Sequence, residues 1–77
     1  MDEQQDIASE GFAAQVDGEI SGRSNYLVGL ATEEECRSEI RKLHTTEEVV
    51  IKLARLPTAA IQNFKLRMGE VRPFNVG

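Results

Sequence analysis

The sequence has few of the residues on which most catalytic and metal sites depend. Among its 77 residues there is one Cys, one His and no Trp. One Cys cannot close a disulfide within the chain, and one Cys with one His cannot supply the ligand set of a structural zinc ion. We therefore expect no metal and no cofactor, and a stability that comes from packing of helices and strands or from self-association.

The chain also lacks a long hydrophobic run. The longest unbroken series of apolar residues and glycine spans residues 26 to 31, whereas a membrane-spanning helix needs roughly 20 apolar residues. The N-terminal residues MDEQQDIASE are acidic and lack the basic start and apolar segment of a secretory signal. The sequence therefore predicts a cytoplasmic protein without a membrane partner.

The thiol and the imidazole are poorly spaced for nucleophilic catalysis. Cys36 and His44 lie eight positions apart in a segment predicted to be helical, which separates them by about 12 Å along the helix axis. A base must be within hydrogen-bond reach of the nucleophile that it activates. No glycine-rich phosphate-binding motif is present, and the glutamates that follow Thr32 would repel a phosphate from that helix end. We interpret the chain as non-catalytic.

The charged residues are distributed unevenly along the chain. The formal net charge is -4, yet residues 1 to 36 contain nine Asp or Glu and one Arg, whereas residues 37 to 77 contain eight Lys or Arg and four Glu. A basic surface in the second half would attract phosphates. An ordinary solvated surface explains the same pattern and is the favoured interpretation, because an acidic protein is repelled by nucleic acid unless its basic residues cluster.

One segment carries a strong signal for the start of a helix. Thr32 is followed by three glutamates, the last of which has the spacing of a capping box, and acidic side chains favour the positive end of the helix dipole. Cys36, Ile40 and Leu43 then recur at helical spacing and form a narrow apolar stripe. We predict a helix over residues 33 to 44.

The segment EEVVIKLARLPT fits two structural templates. As a strand it places Val49, Ile51 and Leu53 on one side, and its β-branched residues favour the extended conformation. As a helix it follows the capping-box pattern TTEE and precedes a second helix after Pro57. We favour a strand over residues 48 to 56, because successive β-branched residues weaken a short helix.

The remaining signals complete a small α+β domain. Further strands are expected near residues 26 to 31 and 70 to 76, the last one short and at a sheet edge because it contains a proline, and a second helix near residues 58 to 66. Turn-type clusters allow a hairpin strand before residue 22. The predicted fold is a two-layer α+β domain with three strands, or four, and two helices; the alternative is all-α with a helix-turn-helix.

The domain is expected to begin after an acidic leader. Residues 1 to 10 contain few large apolar groups and are predicted to be disordered, which leaves residues 11 to 77 as a single domain. If the strands on either side of the helix over residues 33 to 44 are neighbours, that helix makes a right-handed crossover. The spacing of Gly18, Gly22 and Gly29 is typical of turns and a bulge, and a close backbone approach at Gly29 is a minor alternative.

These patterns favour a small protein-interaction or regulatory module without catalysis. As a strand, the segment from 48 to 56 directs Val50, Ala54 and Leu56 away from the helices, and an apolar group on an exposed face favours association. An edge strand can also pair with another chain through its backbone. We expect a protein partner, with a homodimer as one form of the association.

A DNA-binding regulator is the alternative function. If residues 46 to 56 and 58 to 66 both form helices, the second helix and the residues after it present side chains that reach bases and phosphates. The connection through Pro57 is shorter than that of a usual helix-turn-helix, which counts against this interpretation. The candidate contacts are Gln62, Asn63, Lys65, Arg67 and Arg72.

Overall fold

A four-stranded antiparallel sheet forms the centre of the protein, in a computed structural model that describes residues 6 to 74. The elements in chain order are β1 (Phe12–Gly18), β2 (Gly22–Val28), α1 (Glu33–Leu43), β3 (Val49–Arg55), α2 (Thr58–Phe64) and β4 (Val71–Pro73). The strand order is β3-β1-β2-β4. The predicted α+β class is confirmed, with β1 as the strand before residue 22. The all-α alternative is not supported, because β3 pairs with β1 along its whole length.

The β1 and β2 strands form a hairpin whose turn lies at residues 19 to 21. Gly22 has a φ of 80°, the left-handed conformation that often follows the turn of a three-residue hairpin loop. β2 therefore begins at Gly22, whereas the sequence predicts a strand from about residue 26. Residues 23 to 25 are polar and suggest a turn by composition, but they lie in the strand, where Arg23 is opposite Asp17 and Asn25 is opposite Gln15.

At Gly29 the chain leaves β2 in direct contact with another backbone segment. A Cβ atom at Gly29 would lie 2.1 Å from the carbonyl oxygen of Arg67, so no other residue fits without a shift of the backbone. Gly29 N–H donates to the carbonyl of Glu70 at 2.8 Å, and Gly69 N–H donates to the carbonyl of Gly29 at 2.7 Å. The structure therefore shows a close backbone approach at Gly29, the minor alternative of the sequence analysis. β2 ends at Val28 rather than near residue 31.

The α1 helix begins where its cap predicts. Thr32 Oγ1 accepts a hydrogen bond from the backbone N–H of Glu35 at 3.2 Å, which satisfies one of the free amides of the first turn. Cys36 and Ile40 are fully buried, as their spacing predicts. Leu43, the third member of the predicted stripe, is 57% exposed and lies outside the core.

The β3 strand lies on the far side of β1 from β2. Its residues Val49, Ile51 and Leu53 pack against the cluster that contains Cys36 and Ile40 of α1, which confirms the predicted apolar side of this strand. The two strands that α1 connects are thus separated by β1. The right-handed crossover is predicted only for the case in which these two strands are neighbours, so that prediction does not apply.

The two helices cover opposite faces of the sheet. Consecutive residues of a strand point to opposite faces, and Leu27 and Val28 accordingly belong to two different clusters of buried side chains. Val28 packs in the cluster of α1, whereas Leu27 packs with Ile61 of α2 and with Leu66. Within residues 6 to 74, no helix is long and apolar enough to cross a membrane.

The α2 helix ends in a left-handed residue and is held by an arginine from β4. Lys65 has φ 53° and ψ 46° at the C-terminus of the helix. The Arg72 guanidinium donates to the carbonyls of Phe64 at 2.7 Å and Lys65 at 3.2 Å. These bonds satisfy carbonyls that lack helical partners, so α2 stops at Phe64 although the sequence predicts a helix to about residue 66.

The β4 strand is short and lies at the second edge of the sheet, as predicted from its proline. Its three residues, Val71–Pro73, pair with β2. Of the strand predicted over residues 70 to 76, residues 75 and 76 lie outside the described part of the chain.

The described N-terminal residues lie beside the segment that follows α2. Ile7 and Arg67 form an isolated antiparallel bridge. Ala8 N–H donates to the carbonyl of Leu66 at 2.9 Å, and Ala8 is buried. Residues 1 to 5, the first half of the predicted acidic leader, lie outside the described residues.

The left-handed conformation of Lys65 gives a first prediction. Side chains with a Cβ pay a steric cost in this conformation, and glycine does not. We expect Lys65→Gly to raise the free energy of unfolding by about 0.5 to 1 kcal/mol in urea denaturation. Gln62→Gly, at an exposed position inside α2, is the control and should lower it by about 1 kcal/mol. Destabilisation by both changes would contradict this account of Lys65.

Candidate functional site at the edge of β3

The outer edge of β3 carries the candidate site. Leu56 N–H donates to the carbonyl of Gly11 in the chain leading into β1, at 2.9 Å. In an antiparallel pair, residues with backbone groups directed at the neighbour alternate with residues whose groups are directed away. The outward N–H and C=O groups of β3 are therefore those of Val49, Ile51, Leu53 and Arg55. Within residues 6 to 74, no strand pairs with them.

The two sides of β3 differ strongly in exposure. Val49, Ile51 and Leu53 are half-buried against the core, whereas Val50, Lys52 and Ala54 are exposed on the other face. Val50 is 62% exposed, a high value for a valine in a sheet. The backbone groups that face outward are therefore flanked on one side by core residues and on the other by accessible side chains.

The residues predicted for protein interaction occupy different surroundings. Val50 and Ala54 lie on the same exposed face of β3. Leu56 follows the strand and is half-buried, because it packs with Ile61 and Leu66 in the cluster of α2. The structure brings Val50 and Ala54 together on one strand and directs Leu56 toward the core.

The other edge of the sheet is closed by proline. Phe74 N–H donates to the carbonyl of Asn25 in β2 at 2.8 Å, so by alternation the nitrogen of Pro73 is on the outer side of β4. Proline has no N–H to offer a further strand. Natural edge strands use such prolines and short lengths to prevent pairing. The outer edge of β3 has no proline.

Side chains fix the turn that precedes β3. The Glu47 carboxylate accepts the backbone N–H of Ile20, in the hairpin turn between β1 and β2, at 2.9 Å, and the N–H of Ser21 at 3.4 Å. Hydrogen bonds from the Ser21 hydroxyl and from the Ile20 amide hold the pKa of Glu47 below its usual range. The ionised carboxylate therefore ties the hairpin turn to the start of β3.

An arginine fixes the other end of β3. Arg55 Nη1 lies 2.8 Å from Glu10 Oε1, and its guanidinium carbon lies 4.9 Å from the centre of the Phe12 ring. The ion pair is exposed, and such pairs contribute little to stability, but together the two contacts orient the Arg55 side chain. The strand is therefore held at both ends and presents its outer backbone in a fixed, extended form.

A shallow groove runs beside β3 on the face that carries Lys52. It lies where α2 leaves the sheet uncovered, and it offers a mixture of small apolar and amide side chains. The groove is not among the sites predicted from the sequence. The sequence signal for the groove is the alternation of small and polar residues in FAAQVDG. This alternation indicates a groove only once the segment is known to lie in the middle of the sheet. The main lining residues are Ala13, Gln15, Asn25, Lys52, Ala54 and Phe74.

The residues considered for catalysis do not form a reactive pair. Cys36 is fully buried, and burial raises the pKa of its thiol to about 11, so it is protonated at neutral pH. His44 Nε2 lies 3.0 Å from the hydroxyl of Tyr26. Among residues 6 to 74, no group of three or more His, Cys, Asp or Glu side chains is placed to hold a metal ion.

Three of the five candidate DNA contacts lie together, because Lys65, Arg67 and Arg72 line one surface depression that Glu70 also lines. Gln62 and Asn63 are exposed on α2, and Lys65 and Arg67 are exposed in the turn that follows. The Arg72 guanidinium is bound to Glu70, with Nε at 2.9 Å from Oε2, as well as to the end of α2. Because the segment before Pro57 is a strand, the helix pair that would direct these side chains into a groove of DNA is not formed.

Comparisons with known proteins give no relative. No family model matches the chain, no curated protein is significantly similar to it, and no solved structure matches its fold at a significant level.

The lowered pKa of Glu47 predicts a pH-dependent stability. A carboxyl group whose pKa is lower in the folded than in the unfolded protein stabilises the fold above the unfolded pKa, and this contribution is lost as the pH falls through the folded value. We expect Glu47→Gln, which keeps an acceptor oxygen, to lower the free energy of unfolding at pH 7. The difference from wild type should shrink as the pH falls below the usual pKa of glutamate, and it should disappear once the pH is below the lowered pKa of Glu47 in the folded protein.

Urea denaturation at pH 7 and at about pH 2.5 tests this prediction. Glu48→Gln removes the same charge at the adjacent, exposed position and should have little effect at either pH. A difference between Glu47→Gln and wild type that is equal at both pH values would contradict the proposed role of the ionised carboxylate.

Proposed function

We propose that the protein is a non-catalytic interaction module that binds a partner protein by adding a strand of the partner to the outer edge of β3. The observation that carries this proposal is the row of outward backbone groups from Val49 to Arg55. In this mode of recognition, main-chain hydrogen bonds supply affinity and alternate side chains supply specificity.

The contrast between the two edges of the sheet supports the choice of β3. β4 has three residues and carries Pro73, whereas β3 has seven residues, and its sequence VVIKLAR is rich in residues that favour strands. An exposed, regular strand of this kind is a template for pairing with another chain. Lys52 is the charged residue at its centre, and it influences which strands can pair there.

The exposed face of β3 gives the second part of the recognition surface. A partner strand hydrogen-bonded to β3 would place alternate side chains beside Val50 and Lys52, near the groove. A homodimer, a different protein partner and a regulatory role all fit this mode of binding. We also propose that the protein is cytoplasmic, as its sequence predicts. DNA binding is not proposed, because its helix pair is replaced by β3.

Amide hydrogen exchange tests whether the edge of β3 is open. In dilute solution at neutral pH, the outward amides of Val49, Ile51 and Leu53 should exchange with solvent much faster than those of Val50 and Lys52, which are directed at β1. Residue-resolved exchange followed by nuclear magnetic resonance gives this comparison directly. Uniform protection along the strand would mean that the edge is covered, and the proposed function would be abandoned.

A proline substitution tests strand addition itself. Val49→Pro removes an outward N–H at the first residue of β3, a position that tolerates proline. Thr58→Pro is the matched control, because the first residue of a helix has a free N–H and favours proline. We expect peptides selected from a random 12-residue library on the wild-type protein to bind Val49→Pro at least about tenfold more weakly, and Thr58→Pro unchanged.

Fluorescence anisotropy of the labelled peptides measures these affinities, and circular dichroism establishes that both variants are folded. Peptides that bind the folded Val49→Pro variant as tightly as wild type would show that binding does not use the edge of β3. Failure to select any peptide would likewise count against a strand-accepting edge.

A further inference from the structure

We propose that the partner strand is β3 of a second copy of this chain, paired antiparallel about a two-fold axis at Val50, with Lys52 of each copy opposite Glu48 of the other. This inference rests on the proposed function and specifies its partner. It follows from the side chains that each alternative register would bring together.

Symmetry restricts how two identical edges can meet. A closed dimer uses the same surface on both copies, and two identical strands related by a two-fold axis perpendicular to the sheet run antiparallel. The register is then defined by the residue that lies on the axis. β3 is centred on Lys52, so the residues from Val50 to Ala54 are those that can occupy this position while the strands overlap. With Leu53 on the axis Lys52 would face Ala54, and with Ala54 on the axis it would face Leu56, so both registers leave Lys52 without an acidic partner. Three registers remain, with Lys52, Ile51 or Val50 on the axis.

The register with Lys52 on the axis is excluded by charge. It gives the longest overlap, from Val49 to Arg55, but it places the two Lys52 side chains directly opposite each other. Because the Lys52 amide is directed at β1, this would be a non-hydrogen-bonded pair, the type in which side chains are closest. Like charges in such a pair are destabilising.

The register with Ile51 on the axis leaves the exposed charges uncompensated. Lys52 would face Val50, and Glu48 would face Ala54. Its outermost pair would join Glu47 to Arg55, but Glu47 already accepts the amide of Ile20 at 2.9 Å. The Arg55 guanidinium is also occupied, at 2.8 Å from Glu10.

The register with Val50 on the axis satisfies both charges. Glu48 and Lys52 are exposed, and in this arrangement they form two symmetry-related ion pairs on the same face. Val49 and Ile51 exchange backbone hydrogen bonds with Ile51 and Val49 of the second copy. The exposed Val50 side chains meet on the axis and are removed from water, which accounts for a valine that is 62% exposed in the single chain.

The paired segment is short, so the dimer is expected to be weak. It extends only from Glu48 to Lys52, because a turn precedes Glu48, and interfaces at the low end of the size range are typical of transient complexes. We expect a dissociation constant on the order of 100 µM. Sedimentation velocity and amide chemical shifts over a dilution series from about 1 mM to 10 µM cover this range.

Charge reversal with complementation tests the register. Glu48→Lys and Lys52→Glu each place like charges opposite each other twice in their own homodimers, and each should weaken self-association by about tenfold. An equimolar mixture of the two variants brings opposite charges together at both positions and should restore association to within about threefold of wild type. Lys65→Glu, a reversal at the end of α2, is the control and should leave association unchanged.

Three results would overturn the proposal. These are a wild-type protein that stays monomeric at about 1 mM, single variants that associate as strongly as wild type, and a mixture that fails to restore association. The rates of amide exchange along β3 show whether such a result contradicts only the homodimer or also the proposed binding of a partner strand. Alternating exchange along β3 together with a monomeric chain would leave the edge open for a different protein, whereas uniform protection of the monomer would remove both proposals.

Discussion

The hydrogen bonding of β1 on both of its sides is the constraint on which the rest of the structure depends. β1 pairs with β2 along one side and with β3 along the other, and its alternating residues supply buried side chains to the cluster of α1. β2 occupies one side of β1, so β3 must lie on the other side for β1 to be hydrogen-bonded along both sides. α1 therefore carries the chain across the sheet to that side. β3 thereby becomes an edge strand, and the functional proposals derive from that placement.

The local elements were predictable where one residue type determines the backbone. Thr32 caps α1 through its hydroxyl, successive β-branched residues make β3 extended, and Pro73 restricts β4 to a short edge strand. The start of β2 was not predictable in the same way. Its polar residues suggest a turn when read alone, and they are compatible with a strand only because β1 presents Asp17 opposite Arg23, at 2.9 Å between Oδ1 and Nε. Information about the neighbouring strand is absent from a short window of sequence.

The candidate site was only partly predictable for a related reason. The exposure of Val50 and Ala54 follows from the two-residue period of a strand. Both lie on the face of α2, at positions that the helix does not cover, and not on a face turned away from both helices as predicted. The backbone edge depends on strand order, which is decided by long-range pairing and cannot be read from periodicity. Leu56 has the same period as Val50 and Ala54, yet it is half-buried because α2 returns over the sheet at that end. The two-residue period of a strand predicts which side chains share a face of the sheet. Which of them are buried depends on the helix that packs over that face, and this is decided by tertiary packing.

The asymmetry between Pro73 and the open side of β3 also determines how far the sheet can grow. A protein whose sheet is open at both edges can add copies without limit and form fibres. In the proposed two-fold dimer, the pairing uses β3 from Glu48 to Lys52, and the outermost strand on each side of the joined sheet is a β4 strand with its proline. The proposed assembly would then stop at two chains, and a residue at the opposite side of the sheet would protect a chain with a strongly strand-forming edge from polymerisation.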